Sequence, residues 1–130
     1  MKLGYTILYV ESVTDTIAFY EKAFGLERGM VADTGEYGEL RTGETKLAFA
    51  ANGIVEGLTG VPFEAAAPTK AAPPLELGLV TDDVASMFNR AVTAGAVLVK
   101  RPEKKPWGQV VSYVRDNNGF LVEICSPMAD

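Results

Sequence analysis

The strongest constraint on the fold of this chain is that one pattern of predicted secondary structure occurs twice. The first copy has a strand from Leu3 to Val10, an amphipathic helix, and then strands at residues 26–33, 36–41 and 45–51. The second copy has a strand from Leu75 to Thr81, a helix, and then strands at residues 96–100, 109–115 and 120–125. Each copy therefore reads as a βαβββ module.

The two predicted helices align with each other when the sequence is shifted by 71 residues. The shift places Val84 on Val13 and Phe88 on Ile17, which are apolar positions at helical spacing. We predict an α+β fold in which two βαβββ modules form curved mixed sheets around a cleft. The modules span residues 1–51 and 75–130 of a single domain, and residues 52–74 form a linker between them.

The linker is rich in glycine and proline, which predicts little regular structure. Its glycines and prolines lie at positions 53, 57, 60, 62, 68, 73 and 74. A connection of this length in a compact domain is usually a functional lid or a linker between units. We favour a linker that covers a sheet edge, with Phe63 as its anchor.

Composition excludes several classes of protein and partner. The chain has 130 residues, of which 48% are hydrophobic, and it has no apolar run long enough to span a membrane and no signal peptide. We therefore expect a soluble domain in the cytoplasm. The net charge of −5 argues against nucleic acid and anionic membranes as partners.

The chain contains no histidine and one cysteine. The lack of histidine removes the most common general base, the Ser-His and Cys-His nucleophile pairs, and the imidazole ligands of most zinc and non-haem iron sites. Cys125 cannot form an internal disulfide bond, and its position in a strand favours a buried structural thiol over a reactive one.

Glu123 is the first residue that asks for a functional explanation. It lies in the second strand of a predicted hairpin whose turn is residues 116–119, and it alternates with the apolar residues Val122 and Ile124. Burial of a carboxylate in the middle of an apolar strand costs on the order of several kcal/mol unless a proton, an opposite charge or a metal compensates it.

Two stretches of the sequence carry a family resemblance. The first helix reads IAFYEKAFGL, and the chain closes with PWG followed by VRDNNGFLVEICSP. Together with the repeated module, these resemble the vicinal oxygen chelate superfamily, which includes glyoxalase I, extradiol dioxygenases and the fosfomycin- and bleomycin-resistance proteins. The resemblance covers almost the whole chain except the linker, and its scaffold hosts both metal enzymes and metal-free binders.

The resemblance implies positions for a metal site that this sequence only partly fills. Its metal-dependent members place ligands in the first and last strand of each module, facing the cleft. Here those positions fall on Tyr5 and Ala48 in the first module and on Glu76 and Glu123 in the second. Only Glu76 and Glu123 bind a metal well, so an extradiol dioxygenase is nearly excluded, and a divalent metal ion is an open option rather than a certain cofactor.

If Glu76 and Glu123 share one face of the second sheet, their like charges need compensation. A hard cation, a proton shared between the two carboxyl groups, or a basic neighbour would each provide it. Lys46, Arg41 and Arg115 are the basic candidates. A structural ion pair or a protonated carboxyl group without any chemistry is a further interpretation of the same pair.

Four aromatic residues could line a binding cleft: Tyr5, Tyr9, Trp107 and Tyr113. In the bleomycin-resistance relatives, aromatic side chains sandwich a planar cationic antibiotic, and an acidic, aromatic cleft suits a guest of this kind. Trp107 lies between Pro106 and Gly108, two residues that favour turns, so its ring could instead cap the core or a subunit interface.

We predict a homodimer that binds a small, cationic or aromatic molecule in its cleft, in the manner of the bleomycin-resistance proteins. The first alternative is a metal-dependent lyase or isomerase of the glyoxalase type with Glu76 and Glu123 as ligands. The second is an interaction module with a vestigial cleft. Whether the protein is an enzyme is left open by the sequence.

Overall fold

The computed structural model describes residues 1–128 and divides into two compact units, residues 1–66 and the residues from 67 onward. The first unit contains β1 (Tyr5–Val10), α1 (Val13–Phe24), β2 (Glu27–Val31), β3 (Tyr37–Arg41), β4 (Lys46–Ala51) and α2 (Asn52–Thr59). The second unit contains β5 (Glu76–Val80), α3 (Val84–Thr93), β6 (Val97–Lys104), β7 (Val110–Arg115) and β8 (Leu121–Cys125). Within residues 1–128, no helix has the length and apolar character needed to cross a membrane.

Each unit forms one four-stranded mixed sheet, and the two sheets have the same strand order. The orders are β1-β4-β3-β2 and β5-β8-β7-β6. In each sheet the first and last strands of the module pair in parallel, and the other neighbours pair antiparallel. The predicted α+β fold of two βαβββ modules is confirmed.

The core of the first unit lies between α1 and one face of its sheet. Ile17 and Tyr20 on α1 are fully buried, and the Tyr20 ring lies 5.1 Å from the ring of Phe49 on β4. A methyl group added to Gly38 on β3 would come within 2.5 Å of Cδ1 of Ile17. Gly38 therefore allows α1 to approach the sheet closely, and Gly25, at φ 68°, ends the helix as predicted.

The core of the second unit is built in the same way between α3 and its sheet. The Asp83 side chain accepts a hydrogen bond from the backbone N–H of Ser86 and caps the helix. The buried residues of α3 are Val84, Phe88 and Ala91, and those of β7 and β8 that are completely buried and apolar are Val114, Val122 and Ile124.

The first part of the predicted linker is helical, which differs from the expectation of little regular structure. α2 occupies residues 52–59, with Val55 buried and Gly60 ending the helix at φ 64°. Gly53 and Gly57 indicated a loop because glycine lowers helix propensity by about 1 kcal/mol each. Packing of α2 against β1 and β4 outweighs this local cost.

The rest of the linker belongs partly to each unit. Phe63 packs its ring 5.0 Å from the ring of Tyr9 on β1, which is an edge strand of its sheet. In the second unit, Arg115 donates hydrogen bonds from Nε to the carbonyl oxygen of Gly119 at 2.8 Å and from Nη2 to that of Lys70 at 2.7 Å. Arg115 therefore fixes the start of the second unit to the hairpin between β7 and β8.

Candidate functional site

Each sheet has one face that does not pack on the main helix of its module. Side chains alternate along a strand, so the residues between the helix-packed ones form this face. In the second unit we call it the second-unit face, and its residues on β5, β8 and β7 are Glu76, Gly78, Val80, Leu121, Glu123, Cys125, Val111, Tyr113 and Arg115.

The strand register places Glu123 in the middle of the second-unit face. Gly78 of β5 pairs with Glu123 on one side, and Tyr113 of β7 pairs with it on the other. Glu76 pairs with Leu121, which precedes Glu123 by two residues on β8 and therefore lies on the same face. The structure therefore places both predicted carboxylates on one face, with Glu123 half-buried and Glu76 exposed.

Tyr113 is hydrogen-bonded to Glu123. Its hydroxyl group donates to Oε1 of Glu123 at 2.9 Å. Burial, followed by this hydrogen bond and the charges of Glu123 and Glu76, raises the pKa of Tyr113 to about 12. The phenol is therefore protonated near neutral pH and acts as a hydrogen-bond donor.

No basic side chain pairs with either carboxylate among residues 1–128. The three basic residues that the sequence suggested have other partners. Lys46 lies 3.4 Å from Glu39, Arg41 lies 3.6 Å from Glu27, and Arg115 is bound to backbone carbonyl oxygens. The prediction that one of these basic residues compensates the charges of Glu76 and Glu123 is therefore wrong.

Cys125 lies beside this cluster as a buried thiol. The Cys125 thiol donates a hydrogen bond to the carbonyl oxygen of Leu79 at 3.8 Å. Burial is the largest cause that raises the pKa of Cys125 to about 11, and the nearby carboxylates of Glu123 and Glu76 add to it. The thiolate is the reactive form of cysteine, so a protonated buried thiol is unreactive. This agrees with the structural role expected from the sequence.

Trp107 lies in the turn before β7, with 60% of its surface exposed. Its indole Nε1 donates a hydrogen bond to Oε1 of Gln109 at 2.9 Å, and Nε2 of Gln109 donates to the carbonyl oxygen of Ser126 at 2.9 Å. These two hydrogen bonds orient the indole ring, and much of its surface stays exposed to solvent. This placement disfavours the reading in which Trp107 caps the core of its own unit.

Tyr5 and Tyr9 belong to the first unit. Both are on β1, on the face of the first sheet that does not pack on α1, which we call the first-unit face. Tyr5 is 52% exposed, whereas the ring of Tyr9 packs against Phe63. Of the six residues predicted for binding, Glu76, Trp107, Tyr113 and Glu123 belong to the second unit.

Sequence reasoning missed Glu39, the buried carboxylate of the first-unit face. Glu39 on β3 is only 6% exposed, and it accepts a hydrogen bond from the Tyr37 hydroxyl at 2.8 Å in addition to its ion pair with Lys46. Burial and Glu39 raise the pKa of Tyr37 to about 12. The signal was available, because Glu39 lies between Gly38 and Leu40 just as Glu123 lies between two apolar residues.

The positions that the resemblance implies for a metal site are only partly filled by side chains with donor atoms. Among residues 1–128, no three His, Cys, Asp or Glu side chains gather in a way that could hold a metal ion. Ala48, at one of the positions implied by the resemblance, is buried and has no donor atom. Two carboxylates alone do not match a site that needs three or four protein ligands.

A match to a protein-family model identifies the family of the chain. The model of the "Glyoxalase/Bleomycin resistance protein/Dioxygenase superfamily" matches residues 2–124. The chain belongs to this superfamily. The resemblance inferred from the repeated module and from the closing hairpin is confirmed. No curated protein sequence matches the chain.

Solved structures of other proteins share the fold of this chain. A glyoxalase-related enzyme from Fulvimarina pelagi has a TM-score of 0.84 at 20% identity, covering 98% of this chain and 88% of its own. A glyoxalase/bleomycin resistance protein/dioxygenase family enzyme from Burkholderia phytofirmans PsJN has a TM-score of 0.83 at 21% identity, covering 97% and 98%. TioX from Micromonospora sp. ML1 has a TM-score of 0.71 at 22% identity, covering 97% and 98%. At these identities the likeness concerns the fold alone.

Proposed function

We propose that the protein binds a small, cationic, aromatic molecule on the second-unit face. Glu123 and Glu76 supply the negative charge, and Tyr113 and Trp107 supply aromatic surface. The observation that carries the proposal is that two carboxylates share one sheet face without a basic partner among the described residues. A cationic ligand would compensate them, and aromatic rings bind cations and flat apolar groups favourably.

Binding is favoured over metal-dependent catalysis. A lyase or isomerase of the glyoxalase type would need further donors beside Glu76 and Glu123, and Ala48 provides none in the first unit. We therefore assign no metal-dependent step to this face. The binding role predicted for Tyr5 and Tyr9 concerns the first unit and stays a prediction.

The proposal is tested with two dyes that have the same ring system. 9-Aminoacridine is a planar cation near neutral pH, and acridine is its largely neutral counterpart. We expect calorimetric titration to show tighter binding of 9-aminoacridine, and Glu123→Gln to weaken that binding about tenfold, which corresponds to about 1.4 kcal/mol for a charge-assisted contact. Acridine affinity should stay the same.

Glu44→Gln is the matched control, because Glu44 is an exposed residue in the turn between β3 and β4 and loses the same charge. It should leave both affinities unchanged. Equal binding of the two dyes by the parent protein, or an equal loss in Glu44→Gln, would show that the second-unit carboxylates do not select the ligand.

The proposed binder works as a cytoplasmic homodimer. Several large apolar side chains of the second unit are exposed, which favours association: Leu75, Val80, Val97, Leu98 and Val99. Sedimentation at micromolar concentration should give twice the chain mass of 13.9 kDa. A monomer under these conditions would contradict this part of the proposal.

A further inference from the structure

Gly78 lies in the middle of β5, on the second-unit face, and is exposed to solvent. Glycine weakens a strand, because it loses more conformational freedom than other residues and has no side chain to pack. Inside a strand it often marks a bulge, a bend, or a place where a ligand or another backbone comes close. The regular register between β5 and β8 shows no bulge at Gly78.

Neither the backbone nor the packing requires glycine at this position. The φ angle of Gly78 lies outside the left-handed region that favours glycine. Within residues 1–128, a methyl group built there would meet only Oε2 of Glu123 beyond the chain neighbours, at an ordinary van der Waals distance of 3.8 Å.

Two other strand glycines show the contrast. A methyl group on Gly38 would come within 2.5 Å of Cδ1 of Ile17, and one on Gly29 would lie 3.2 Å from the backbone oxygen of Glu39. Both positions are therefore restricted by close neighbours in the fold. Gly78 has no comparable structural reason to lack a side chain.

The position of Gly78 suggests what the missing side chain leaves open. On β5 it lies between Glu76 and Val80 on the same face, and across the strand pair it faces Glu123. The lack of a side chain at Gly78 leaves a notch in the second-unit face, where the backbone of β5 is exposed beside the carboxylate of Glu123. In the first unit the corresponding position opposite Ala48 is filled by Ile7, so the notch is a property of the second unit.

We propose that Gly78 determines specificity by letting a planar cation lie flat on the backbone of β5, with its charge against Glu123. A flat cation, such as a protonated aminoaromatic ring, can approach both the strand and the carboxylate. A tetrahedral ammonium group holds its charge away from the surface by its own substituents. This inference rests on the proposed function and narrows its ligand class to planar cations.

The test combines a ligand pair with a substitution that fills the notch. The parent protein should bind 9-aminoacridine at least tenfold more tightly than benzyltrimethylammonium, an aromatic cation with a tetrahedral head. Gly78→Val should weaken 9-aminoacridine binding at least tenfold, while its Tm stays equal to or above that of the parent because valine favours strands. Gly78→Ala should show a smaller loss of affinity with no loss of Tm.

Gly57→Ala is the matched control. It also replaces an open glycine, in α2, where the added methyl group would have no described atom within 4 Å apart from its chain neighbours and the backbone of its own helix. It should raise the Tm without changing the affinity for either cation. Stabilisation by itself would then be excluded as the cause of weaker binding in the Gly78 variants.

Three results would overturn the inference. The first is a parent that binds 9-aminoacridine, and loses that binding in Glu123→Gln, while Gly78→Val binds it as tightly as the parent; the proposed function would then stand alone. The second is a lower Tm in both Gly78 variants, which would make the glycine a structural requirement. The third is a parent that binds neither cation, which overturns the proposed function together with the inference.

Discussion

The first-unit face and the second-unit face share one strand order but place their carboxylates on different strands. In the first unit the glutamate is Glu39 on β3, opposite Ala48 on β4. In the second unit the corresponding pair is Tyr113 on β7 and Glu123 on β8. Each glutamate accepts a hydrogen bond from a tyrosine, but only Glu39 is buried and has a lysine beside it.

The difference shows how a repeated module can support two roles for the same chemical group. Burial of a carboxylate requires compensation within the protein, and Lys46 and Tyr37 provide it for Glu39. Glu123 stays half-buried, with Glu76 on the same face, so its charge remains available to a ligand. We therefore interpret the first-unit carboxylate as structural, whereas the second-unit carboxylates are the ones for which we propose a ligand-binding role.

The largest effect is expected from removal of the compensating lysine. Lys46→Met leaves the buried Glu39 with Tyr37 as its remaining hydrogen-bond donor, and we expect a loss of about 1–2 kcal/mol in the free energy of unfolding. Urea denaturation measures this change. Lys2→Met, at an exposed position, is the control, and an equal effect of the two substitutions would remove the distinction between the two faces.

A smaller effect is expected from the two tyrosines. Tyr37→Phe should cost about 1 kcal/mol, and Tyr113→Phe less, because water can replace the phenol at the half-buried Glu123. Burial is the first cause that raises the pKa of both phenols to about 12, from about 10 in the unfolded chain. The folded protein therefore keeps both phenol protons up to a higher pH than the unfolded chain does.

The pH dependence follows from that difference. The stability contributed by the two phenols is fully present below pH 10 and is lost as the pH rises from about 10 to about 12. Each Phe variant should lose less stability than the parent over this range. Absorbance at 295 nm should also show one fewer late-titrating tyrosine in each variant, and an unchanged titration would contradict the assignment.

The smallest effect is expected from Glu76→Gln, which removes one of two like charges on the second-unit face. Glu76 is exposed, so stability should stay the same or rise by at most about 0.5 kcal/mol, with a larger gain at low salt. Thermal melts with and without chelator provide the measurement. We expect chelator to leave the parent unchanged, whereas a lower Tm in both the variant and the chelated parent would indicate a bound metal.

Most of the fold was predictable because its signals are local and repeated. The helix signals around Gly25 and Asp83 and the alternation in β8 each agree with the structure. Helix α2 was not predictable by the same means, since Gly53 and Gly57 disfavour a helix and its stability comes from packing on strands distant in sequence. In the sequence, the only sign of this packing is the weak apolar pattern of Ile54, Val55 and Leu58.

The candidate site was predictable only as a set of residues on one face. Strand alternation was sufficient to place Glu123 on one face of its strand, and the family resemblance implied that Glu76 lies on the neighbouring strand. The partners of the basic residues were not predictable, because Lys46 and Arg115 are bound by groups that only the folded chain brings near. Glu39 was overlooked although its apolar neighbours gave the same signal as those of Glu123.

The contacts of Arg115 also bear on how a gene for this protein could be divided or duplicated. Its guanidinium binds the carbonyl oxygen of Lys70, and a methyl group on Gly119 would come within 2.7 Å of the carbonyl oxygen of Ala67. Residues 67–70 are thus part of the closing hairpin in space. A half-gene that started at Leu75 would lose this contact, whereas one that started at Ala67 would keep the hairpin and its partner as one inherited unit.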